Sequence, residues 1–174
     1  MTTPPIIESG MTFGPYQNGE CFYIEKSTTY QTVQKNVPMA EFLLWRNGES
    51  PTVWIIEAKS STPCPGRANF AEFIEEIREK LINAFSLAVA LRLGRHKNTS
   101  EELPPLFKKM DLTTLKFCFV LVINGHHKDW LPPLQEKLSE SLRSTVKTWA
   151  LGPSAVFVIN DDQARKRGLI LTDG

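Results

Sequence analysis

The chain is predicted to be an α/β protein with a mixed β-sheet flanked by helices. Three features say so: two strand-length apolar runs flank an Asn-Gly turn, a long segment repeats apolar residues every three or four positions, and strand-like and helix-like segments then alternate. The 174 residues, 41% hydrophobic and 22% charged, have ordinary globular composition and suit one domain over 1–174 with a substantial core. Twenty basic residues against nineteen acidic ones leave a net charge of +1, so bulk charge gives no grip on a polyanion.

The longest apolar run, 117–123, has seven residues, against the ~20 needed to cross a bilayer. No charged-then-apolar leader opens the sequence, so secretion is not expected. The three cysteines, Cys21, Cys64 and Cys118, are odd in number, widely spaced and without a CxxC. Reduced thiols in a cytoplasmic protein are the expectation, not a disulfide framework or a zinc knuckle. No GxxxxGK[ST], GxGxxG or GxSxG occurs, which argues against P-loop, Rossmann and α/β-hydrolase chemistry.

Taken in order, residues 1–11 carry Pro4-Pro5 and Ser9-Gly10 and read as a flexible arm. Turn signals at Gly14-Pro15 and Asn18-Gly19 precede a short alternating strand at Phe22 and Ile24, and 24–35 is ambiguous between helix and irregular chain. Residues 39–45 and 52–59 form an antiparallel hairpin around Asn47-Gly48. Phe70, Ile74, Ile77, Leu81, Phe85 and Val89 mark an amphipathic helix over 69–93, closed by Gly94. A polar loop over 95–111 leads to a strand at 115–123, apolar throughout and so covered on both faces. Asp129 is expected to cap a helix carrying Leu131, Leu134, Leu138 and Leu142; a buried strand at 155–159 and a short helix capped by Asp161 end the series.

Glu57 and Lys59 interrupt this pattern. They end the apolar strand Val53-Trp54-Ile55-Ile56 and, two apart, project to the same side of it. One Glu-x-Lys is about what this composition yields by chance; the information lies in its position at the margin of a core, where an unpaired ion costs several kcal/mol. The partner strand carries a second carboxylate, Glu41, in an apolar setting. Glu41 and Glu57 share a face only if paired residue numbers have an even sum. That requires a three- or five-residue loop, or a bulge, and excludes a plain two-residue Asn47-Gly48 turn. Two carboxylates converging beside a lysine make a hard-oxygen site for Mg²⁺ or Mn²⁺, and such a metal suits phosphodiester hydrolysis.

Glu41, followed after a turn by Ile56-Glu57-Ala58-Lys59, then a long helix and another strand, resembles the PD-(D/E)xK nuclease superfamily over roughly residues 22–124. The resemblance implies a restriction-endonuclease-like core and a catalytic set of Glu41, Glu57, Lys59 and Glu25, with Glu41 and Glu57 as metal ligands. Glu25, in Ile24-Glu25-Lys26-Ser27, takes the place of the extra glutamate many members carry. The implied partner is nucleic acid, DNA ahead of RNA, without membrane, and with a homodimer or partner subunit supplying grip that the net charge does not. Two departures stand out: the first acid is Glu where the family usually has Asp, and only two strands of the family's three-stranded meander are evident after Glu25. The third strand is sought within 12–24.

Blander alternatives stand beside these. Glu41, Glu57 and Lys59 also fit a structural ion pair at a sheet edge, and a nuclease-like fold also serves as a non-catalytic module that binds a partner protein or nucleic acid. Glu72, Glu75, Glu76, Glu79 and Lys80 read as a solvated helix face, with Glu76 and Lys80 as an i,i+4 pair. His126 and His127, adjacent and pointing apart, read as a surface loop, and Trp45, Trp54, Trp130 and Trp149 as core. The clusters Arg92-Arg95-His96-Lys97 and Arg165-Lys166-Arg167 read as solvated faces.

Overall fold

The computed structural model describes residues 1–97 and 102–170. The chain starts with a hairpin, β1 (Ile6–Glu8) and β2 (Met11–Phe13), and then enters a short strand, β3 (Cys21–Phe22). A 3-10 turn at Ile24–Lys26 and a short helix α1 (Thr28–Val33) follow, then β4 (Phe42–Arg46), β5 (Thr52–Lys59) and the helix α2 (Asn69–Arg92). The second half runs α3 (Pro105–Lys108), β6 (Lys116–Ile123), α4 (Leu131–Thr148), β7 (Val156–Asn160) and α5 (Asp161–Lys166).

Five strands make one sheet in the order β3-β4-β5-β6-β7. β3, β4 and β5 are successively antiparallel, whereas β6 joins β5 and β7 joins β6 in parallel. The third meander strand therefore lies in the stretch where the sequence leaves room for it, and Glu25 sits on the turn just beyond its end. The parallel half follows from the crossovers, since α2 and α4 each carry the chain back across the same face. No helix among the described residues is long and apolar enough to cross a membrane.

The sheet has apolar layers on both sides. Leu43, Val53, Ile55, Phe119 and Leu121 pack with Ile77, Leu81 and Phe85 of α2 and Leu138 and Leu142 of α4. Phe42, Leu44, Ile56, Val120 and Val122 form the other layer with Ile6, Met11, Phe13, Ala164 and Leu169. Two covered faces explain why β5 and β6 are apolar almost throughout.

The second layer corrects the expected arm at 1–11. Ile6, Met11 and Phe13 are buried while Ile7 is 73% exposed, so the hairpin is two-faced and closes the side of the sheet that the long helices leave open. Burying each large apolar side chain contributes about 1.5–3 kcal/mol, enough to order a segment whose Pro and Ser content alone suggests disorder.

Smaller differences concern helix ends. A 3-10 turn at Lys128–Trp130 separates Asp129 from α4, so Trp130 and not Asp129 is the N-cap. Asn160 caps α5 in a capping box with Gln163, which moves Asp161 into the first turn. The expected loop at 95–111 contains α3, and its residues 98–101 lie outside the described residues.

Candidate metal and phosphodiester site

Residues Arg46 and Thr52 close the β4–β5 hairpin, leaving residues 47–51 as the turn. This odd-length loop pairs Phe42 with Ile56, numbers whose sum is even, so the register has the parity that sets Glu41 and Glu57 together. Glu41 lies at the bend just before β4. Its N–H donates to the carbonyl of Ile56 (3.0 Å), which ties the bend to β5 one residue before Glu57.

Glu57 is completely buried and turned towards α2, where the Lys80 ammonium donates to its Oε1 at 2.9 Å. Lys59 stands 3.5 Å from the same oxygen and 2.7 Å from Glu76 Oε1. The Oε2 of Glu57 has no hydrogen-bond partner among the described residues. Burial pushes this carboxyl above its ordinary range, against the pull of Lys80 and Lys59.

Glu41 is 6% exposed, and its Oε2 likewise has no partner among the described residues. Burial first, then the charges of Glu57, Glu25 and Glu8, push its carboxyl up to about 8, with Lys80 acting in the opposite sense. Glu25 reaches the same corner from the 3-10 turn, whose backbone is tied to it by a hydrogen bond from Glu25 N–H to Glu41 O (3.3 Å). One carboxylate oxygen each from Glu8, Glu25 and Glu41 lie within 4.8 Å of one another.

Glu8 arrives from the N-terminal hairpin. Ser9 Oγ donates to the Ala58 carbonyl and Asn124 Nδ2 donates to the Ser9 carbonyl, both at 3.0 Å, so the hairpin tip is fastened to the ends of β5 and β6. Gly10 permits this closeness: its φ is +75°, and a Cβ there would stand 2.8 Å from Asn124 Nδ2. Tyr23 OH donates to Glu8 Oε1 at 2.5 Å, and burial together with Glu8 pushes the phenol above its usual range.

Glu25, Glu41, Glu57 and Lys59, the residues the sequence singles out, thus meet at one rim of the sheet. Sequence reasoning missed Glu8, Tyr23, Lys80 and Glu76. The helix residues correct the solvated-face expectation, because Lys80 pairs with Glu57 and Glu76 with Lys59 instead of with each other. Helical periodicity says which residues share a face; it does not say what that face meets.

The donor set is all oxygen, and two deeply buried carboxylate oxygens lack any donor among the described residues. Such a group needs a proton or a cation, since leaving it charged and alone costs several kcal/mol. The trio Glu8, Glu25 and Glu41 could hold a hard cation of the Mg²⁺ or Mn²⁺ kind, whereas Glu57, outside that trio, is engaged by Lys80 through Oε1.

Beyond the strand ends, Trp130 is 61% exposed and Trp149 46%, which corrects the expectation of core for both, although Trp149 still sets its edge against Phe85 at 4.8 Å. His126 and His127, expected to point apart, both flank the Trp130 ring, with centroids 5.4 and 5.7 Å away. Arg165 is held by Asp161 and Asp162. No protein-family model, no curated protein and no solved structure matches this chain.

Proposed function

We propose that the protein is a Mg²⁺- or Mn²⁺-dependent phosphodiesterase acting on nucleic acid, built on a restriction-endonuclease-like core. The supporting observation is the pair of partnerless carboxylate oxygens, Glu41 Oε2 and Glu57 Oε2, buried beside two lysines at the open rim of the sheet. Buried acids with unsatisfied oxygens call for a proton or a cation, and the cation is the one proposed.

In this reading Glu41 holds the cation together with Glu25 and Glu8, whose oxygens cluster with its own, and Glu57 joins them through its partnerless Oε2. When bound, the metal supplies an acidified water and polarises a phosphoryl oxygen. Lys80 orients Glu57 by holding Oε1, which leaves Oε2 for the metal. Lys59, the more exposed lysine at 24% against 18% for Lys80, would stabilise the negative charge that grows on the phosphoryl group. Tyr23 fixes Glu8 by its hydrogen bond.

The test is cleavage of single- and double-stranded DNA and RNA with Mg²⁺ or Mn²⁺, alongside thermal melting with and without metal. Metal should raise the melting temperature, and Glu57→Gln should abolish that rise and lower cleavage by about 100-fold or more. Metal binding without cleavage would favour a non-catalytic, nuclease-like module. The 2.7 Å pair between Lys59 and Glu76 is the observation on that side, because it engages the ammonium that catalysis needs. No response to metal would leave only an ion-paired scaffold.

A further inference from the structure

Two clefts meet at the ends of the parallel strands, and both are lined by Gly125, His126 and Trp130. The first, about 410 Å³, has Ser60, Ser61, Thr62 and Asn124 among its walls and no carboxylate. The second, about 580 Å³, adds His127, Lys128 and Lys166. Asp161 and Asp162 also border it, sharing the single guanidinium of Arg165 at 2.8 and 3.0 Å, so the acids and the lysines of this cleft are close to balance. The pair of clefts therefore offers an aromatic side chain with hydroxyl and amide groups around it, and a nearly balanced set of charges.

The indole at their junction is 61% exposed and touches two rings, the imidazoles that flank it. Its loop is braced by Asn160 Nδ2, which donates to the His126 carbonyl at 2.9 Å, and by Gly125 N–H, which donates to Asp161 Oδ1 at 2.8 Å. The start of α4 behind it is no phosphate cradle, because Pro132 and Pro133 remove two of the first four N–H groups. The first cleft adjoins the strand end that carries Glu57 and Lys59: Ser60 follows Lys59 in the chain, and Asn124 N–H donates to the Lys59 carbonyl at 2.9 Å.

We propose that Trp130 is a stacking platform for an unpaired base of a single-stranded polynucleotide whose neighbouring nucleotides reach the carboxylate centre at the same end of the sheet. The proposal rests on the phosphodiesterase reading and narrows its substrate to single strands. Bases in a duplex keep their faces stacked on one another, whereas an unpaired base has a face free for the indole. The hydroxyls of Ser60, Ser61 and Thr62 and the amide of Asn124 then meet the base edge.

The experiment measures fluorescence anisotropy of labelled oligo-dT and oligo-U 12-mers, and of a 12-base-pair duplex, with the full-length protein in EDTA so that no cleavage occurs. Trp130→Ala should weaken single-strand binding by roughly 5- to 150-fold and leave duplex binding unchanged. Trp130→Phe should restore most of the affinity, and unchanged melting of both variants shows that the fold is kept. The two single strands distinguish DNA from RNA as the ligand. Equal affinity of wild type and Trp130→Ala for both single strands, or an equal loss for duplex, would overturn the platform. Because the readout is binding without metal, a platform that passes this test in a protein that cleaves nothing with Mg²⁺ or Mn²⁺ would count against the phosphodiesterase alone.

Discussion

Two buried glutamates meet at the rim of the sheet, and their surroundings treat them differently. Glu57, on β5, is the deeper of the two, yet α2 and its own strand bring two ammonium groups to it, Lys80 at 2.9 Å and Lys59 at 3.5 Å. Glu41, before β4, faces the turn after β3 and the tip of the N-terminal hairpin, and these bring Glu25 and Glu8 instead. One corner is close to charge balance and the other is short of positive charge. Depth of burial alone therefore does not decide whether an acid is costly; the elements packed against it do. The helix stabilises its glutamate with lysines, whereas the hairpin adds negative charge to a site that a cation would complete.

The largest expected effect breaks the balanced corner. Lys80→Met leaves Glu57 with the more distant Lys59 and should cost about 3–5 kcal/mol in urea unfolding, as when one member of a buried pair is removed. A loss below ~1 kcal/mol would mean that Lys59 alone suffices.

The next effect lies at the unbalanced corner and depends on pH. Below about 4.5 the Glu41 carboxyl is protonated in the folded and unfolded chains alike. Between there and about 8 the unfolded chain loses this proton first, the folded chain binds more protons, and stability falls as pH rises. Without metal, Glu41 should therefore lower stability by on the order of a few kcal/mol at pH 8 relative to pH 5. Mg²⁺ should recover that loss in the wild type, and Glu41→Gln should show neither the slope nor the recovery in urea melts across this range. A flat profile for the wild type would remove the contrast between the corners.

A smaller effect tests how the hairpin delivers Glu8. Gly10→Ala places a methyl in a left-handed backbone position against Asn124 and should cost about 1–2 kcal/mol. It should also weaken Mn²⁺ binding, measured by calorimetry, because Glu8 lies two residues away on the same tip. The smallest effect sharpens the division between the lysines: Lys59→Met should change stability by less than about 1 kcal/mol, since its partner Glu76 is half exposed, yet abolish cleavage.

Much of the site is legible in the sequence. The interruption of an apolar strand by Glu57 and Lys59 is a local anomaly, and the parity of a hairpin register can be reasoned from loop length alone, which is what joins Glu41 to Glu57. Glu8 and Lys80 cannot be found that way. Glu8 belongs to a hairpin whose apolar face shows only as three residues, Ile6, Met11 and Phe13, around a Ser-Gly turn. Lys80 sits among acids on a helix whose polar residues all look solvated until the helix is laid across the sheet. Trp130 misleads in the opposite direction, because an aromatic beside a leucine stripe reads as core and the 3-10 turn before α4 swings it outward.

By itself the sequence determined the fold class, the β4–β5 hairpin, the span of α2 and the acids and lysine on or beside those strands, because periodicity and turn chemistry depend on near neighbours in the chain. Only the tertiary structure decided which acid receives the lysines and which the extra glutamates. Those contacts join elements far apart in sequence, such as Lys80 to Glu57 and Ser9 to Ala58. Their partners are selected by how the hairpin and helix cover the two faces of the sheet, and that packing has no signature in any single segment.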